Sequence, residues 1–159
     1  MIQRPQSICM LIIILSMLSV LAFPNFHIDS KEKSLSAKQT AYSLVVSKLD
    51  APETIIDTQN RVYIGAGAVL VIAITAFSLS RFKNRLLQMK LGFGITLSIA
   101  LTLVGIMYGA KGAESLGIPA VTDHGIGFWA AFLALFANIL SNRLIRKDEN
   151  LVRSMDRIR

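Results

Sequence analysis

His27 with Asp29 and Asp123 with His124 are where this sequence comes nearest to chemistry, because an imidazole beside a carboxylate is the beginning of a metal site. The two pairs would lie on the same outer face and could in principle share a metal, but they come from separate segments, so they read as ordinary interfacial side chains. Cys9 sits in an apolar run without the small residues of a lipoprotein box before it, and reads as a buried free thiol. No phosphate-cradling glycine loop, Cys or His cluster, or Gly-x-Ser-x-Gly elbow occurs in the chain. The sequence therefore points away from an enzyme and requires neither cofactor nor metal.

The denser pattern is basic. Arg81, Lys83, Arg85 and Lys90 crowd one short segment, and Arg143, Arg146, Lys147, Arg153, Arg157 and Arg159 crowd the last eighteen residues, 142–159. Between the latter, Leu144, Ile145, Leu151, Val152, Met155 and Ile158 recur at helical spacing, and Glu149 stands four residues before Arg153. This predicts a basic amphipathic helix that either prolongs the preceding segment or lies on a membrane surface. With Leu151 on its apolar edge, it is a candidate surface for a protein partner or anionic lipid.

The elements that must position these residues are apolar. Of 159 residues 53% are hydrophobic and 17% charged, and mean hydropathy is +0.54, more than a soluble domain of this size carries. Four stretches, 7–23, 62–80, 91–108 and 125–141, contain no Asp, Glu, Lys or Arg. A helix needs about 20 residues to cross the hydrocarbon, so the last three are adequate and the first is slightly short. Arg4 before that first run, with Val20 and Ala22 as a cleavage pattern, also describes a signal peptide. Pro24 would hinder cleavage, and a retained helix is expected.

With the N-terminus inside, 11 Lys and Arg fall on the inner side and 6 on the outer, as the positive-inside rule requires. The net charge of +7 is then the mark of a membrane face apposed to anionic lipid, not of nucleic-acid binding. Tyr63, Tyr108 and Trp129 fall at the outer ends of their helices, as an interfacial belt. The expectation is an all-α, single-domain membrane protein covering 1–159, with four transmembrane helices in an antiparallel up-down bundle and both termini cytoplasmic.

Small residues predict where helices approach. Gly94, Ser98, Thr102, Gly105 and Gly109 share one face of the third stretch, and Gly127, Ala131, Ala134, Asn138 and Ser141 one face of the fourth. The expectation is that these two stripes pack together within the chain; homo-oligomerisation through the same stripe is the alternative. Asn138, the most polar side chain in the apolar zone, is expected to bond to a neighbouring helix. The first stretch, rich in large aliphatics, is expected to be peripheral and lipid-facing. In the outer segment 25–60, Ala37, Ala41, Leu44, Val45 and Leu49 favour a short amphipathic helix. Tyr42, Leu44 and Val46 instead alternate like a strand, with 54–57 as its partner.

Met1-Ile2-Gln3-Arg4 with Gln6, the linker Phe82-Lys83-Asn84-Arg85 with Gln88, and the tail Asn142-Arg143, Ile145-Arg146-Lys147-Asp148-Glu149, Leu151-Val152-Arg153-Ser154 and Asp156-Arg157 resemble a bacterial four-helix membrane family known as domain of unknown function 4293. The resemblance runs over the whole chain, its tail motif being the specific part. It implies an inner-membrane protein with a retained first helix and no assigned activity. Pro5 stands where an aliphatic residue is expected, a change that a first helical turn tolerates. Three functions are weighed: a non-enzymatic adaptor or assembly factor using the basic face, a small oligomeric transporter or channel beside Thr75, Thr102 and Asn138, and a lipid-modifying enzyme, which lacks an acid, base and nucleophile set. The first is favoured.

Overall fold

A helix that is apolar on every face has no side to turn to water. In α2 (Val62–Ser80), Ile64, Ala68, Val71 and Thr75 are buried at three- and four-residue spacing, while Val69, Leu70 and Phe77 are apolar and exposed. The computed structural model describes residues 5–30, 34–50, 54–81, 84–115 and 123–156. Within these, α2, α3 (Arg85–Ser115) and α4 (Ile126–Asp156) are long and apolar enough to cross a membrane. α1 (Pro5–Ala22) is apolar but shorter. It begins at Pro5, where a missing N–H costs a helix nothing.

α1 packs against α2 and α4, and α3 packs against the same two, so the four helices close a ring. Met10, Ile13, Met17 and Val20 of α1 are buried in it. The expected peripheral place for this helix is thus corrected, although Ile8, Leu11, Leu15 and Leu18 do face outward. Large aliphatic residues on all sides of α1 give no polarity contrast from which an inner face could be read.

The all-α expectation is overturned by the segment after α1. Strands β1 (Phe26–Ser30), β2 (Leu35–Gln39), β3 (Ser43–Lys48) and β4 (Ile55–Asn60) form an antiparallel meander, and β5 (Asp123–His124) pairs with β1, giving the order β4-β3-β2-β1-β5. The helix favoured over residues 37–49 does not form. Ala37, Ala41 and Leu44 are all buried because a tight turn at residues 40–42 separates two strands and resets their alternation, which mimics helical spacing. Once the turn is placed, Ala37 and Gln39 on β2 and Leu44 and Val46 on β3 alternate inward as a sheet requires.

Thr40 makes that turn. Its Oγ1 accepts from the Tyr42 and Ser43 amides at 3.3 and 3.2 Å. The Ala41 carbonyl then accepts from the Gly65 amide at 2.9 Å and the Tyr42 carbonyl from the Arg61 amide at 2.7 Å, seating the turn on the first turn of α2. Phe26, Ile28, Ala37, Leu44 and Val46 form a second apolar cluster, against which Ala110 of α3 packs. The sheet therefore stands at one end of the helix ring, where α1 ends and α2 and α4 begin. At the other end α4 carries on unbroken from its apolar part through Asp156, so the basic tail prolongs the fourth stretch.

Candidate functional site

The seam between α3 and α4 is built on one backbone carbonyl. Gly92 O accepts from Asn138 Nδ2 at 3.1 Å, from Asn142 Nδ2 at 3.3 Å and from Thr96 Oγ1 at 2.9 Å, and Asn138 Nδ2 also reaches Thr96 Oγ1 at 2.7 Å. Asn138 is fully buried, and in apolar surroundings such bonds fix the register of two helices. A Cβ on Gly92 would overlap Asn142 Oδ1. Sequence reading found Asn138 but missed Gly92 and Asn142; the signal was Asn142 lying four residues after Asn138 on the same face.

The remaining small residues have other partners. Thr102 Oγ1 occupies the space beside Gly67 of α2, and Gly105 lies against Tyr63 and Ile64 of α2. Gly109 lies against the Gln39 carboxamide of β2, whereas Gly94 faces open space. Ser98 is half-buried and its carbonyl accepts from Thr102 Oγ1 at 2.8 Å. The α3 stripe thus turns to α2 and the sheet, not to α4. On α4, Gly127 lies against Asn25 and the Phe23 carbonyl at the end of α1, and Ala131 and Ala134 are fully buried in the ring. Thr75 Oγ1 donates to Val71 O at 2.7 Å, so Thr75, Thr102 and Asn138 all spend their donors on helix bonds.

Beyond this seam α4 becomes basic. Arg143, Arg146, Lys147 and Leu151 are exposed, whereas Ile145 is fully buried, so one face still packs at this level. A shallow groove of about 420 Å³ runs past Arg143, Arg146, Lys147, Asn150 and Leu151. Two smaller depressions lie beside it, one lined by Met89, Phe93, Asn142 and Arg146 and the other by Ile139, Asn142, Arg143 and Arg146. Asp148 and Glu149, both half-buried and both partnered, follow Arg143, Arg146 and Lys147 on the same helix. Lys90 is exposed on α3, and exposed Arg81 stacks over the Phe77 ring at 5.6 Å. Lys83, Arg157 and Arg159 lie outside the described residues, as do the side chains of Arg85 and Arg153.

At the sheet end, the register sets His27 opposite Asp123 and Phe26 opposite His124, so strand pairing joins the two pairs that the sequence leaves apart. His27 Nε2 lies 3.0 Å from Asp29 Oδ1. His124 instead stacks on Phe128 at 4.1 Å, with Trp129 edge-on at 6.3 Å. Among the described residues no three His, Cys, Asp or Glu converge as metal ligands. Under the sheet lies a polar layer that sequence reading did not find. Asn25 and Gln39 are fully buried, and Arg61, 8% exposed, donates to Gln59 Oε1 at 2.6 Å and to Tyr63 Oη at 3.1 Å.

Three bilayer-length apolar helices, a fourth shorter one and an antiparallel sheet at one end define a membrane-associated helical protein with a small β cap. The chain belongs to the family described as Domain of unknown function (DUF4293), whose model matches residues 2–158. No curated protein and no solved structure matches it.

Proposed function

We propose that this protein is a non-enzymatic adaptor or assembly factor of the bacterial inner membrane, with four spans, both termini cytoplasmic and the sheet outside. The observation that carries the reading is the continuity of α4. One helix runs from the apolar ring to Asp156, and the fifteen residues after Ser141 extend it by about 22 Å at 1.5 Å per residue. A rigid basic arm with an exposed Leu151 offers a partner a fixed target, which a loose tail does not. The four-helix ring anchors the arm, and the charge bias of the two sides supports its placement in the cytoplasm.

A photo-crosslinking residue placed at Leu151, and separately at Asn150, tests this in living cells. One protein captured reproducibly at Leu151, and lost when Arg146 and Lys147 are neutralised, is the expected result. Capture of lipid alone at both positions would reduce the arm to an anchor and end the adaptor reading.

A further inference from the structure

We draw no further inference here: the strongest candidate, the outer edge of β4 with Ile55 and Ile56 exposed along it, is an unpaired sheet edge among the described residues, and nothing in the structure shows what covers it.

Discussion

Two glycines in one helix, two residues apart, should respond oppositely to the same substitution. Gly94 of α3 has nothing within 4 Å of where a Cβ would stand, whereas a Cβ on Gly92 would overlap Asn142 Oδ1. Gly94→Ala should gain helix propensity of about 0.5–1 kcal/mol. Gly92→Ala makes the same gain, but the Asn142 carboxamide must rotate away, breaking its 3.3 Å bond to Gly92 O and disturbing the seam. Overpacking and a lost interhelical bond together cost about 1–3 kcal/mol. The propensity gain cancels between the variants, so Gly92→Ala should be less stable than Gly94→Ala by that amount. Thermal or SDS unfolding in mild detergent, followed by ellipticity, measures the gap. In an Asn142→Ala background the overlap is gone and the gap should close, which makes the comparison a double-mutant cycle. Equal stability of the two single variants would refute the account of the seam.

Asn138→Leu should cost only about 1 kcal/mol, because Gly92 O keeps Thr96 and Asn142 as donors; solute uptake and leak should stay unchanged, and a transport defect would revive the channel reading. Gln39→Leu should raise the melting temperature, since both polar atoms of this buried carboxamide lack partners among the described residues and an unpaired buried amide costs about 1–3 kcal/mol; a lowered melting temperature would place a bonding partner there. In a Cys9→Ser background, a cysteine at Ser36 should react with an impermeant maleimide in intact cells and one at Ser154 only after permeabilisation; the reverse result would invert the orientation.

What the sequence made legible follows from what kind of information each segment holds. The charge-free runs of α2, α3 and α4 could be read because an all-round apolar helix has one ordinary home. Asn138 could be read because an amide in that setting must find a bond. The continuity of α4 was left open, although no proline interrupts Ile126 to Asp156, because amphipathic spacing is the same for a prolonged helix and one bent onto the surface. The sheet was misread where Ala37, Ala41 and Leu44 imitate a helix across the Thr40 turn. The β-branched run of Val45, Val46, Ile55, Ile56 and Thr58 carried the correct signal. The α3 stripe disclosed that some backbone comes close but not which, since Gly105 and Gly109 fit Tyr63 and Gln39 as well as they would fit another helix. The depressions beside Asn142 depend on the spacing of two helices, which composition does not encode.

The place of β5 in the sheet has a consequence for biogenesis. β1 pairs on one side with β2, its neighbour in sequence, but on the other with Asp123 and His124, about a hundred residues downstream. On the four-span topology proposed above, with helices inserted one by one from the N-terminus, the β1 edge stands open until α3 has crossed and the segment after it has emerged. An unpaired edge is a template for wrong pairing, and late closure of distant contacts is slow. On that topology, completion of the cap reports that the third crossing has succeeded, and a protein truncated before residue 123 leaves its β1 edge without β5.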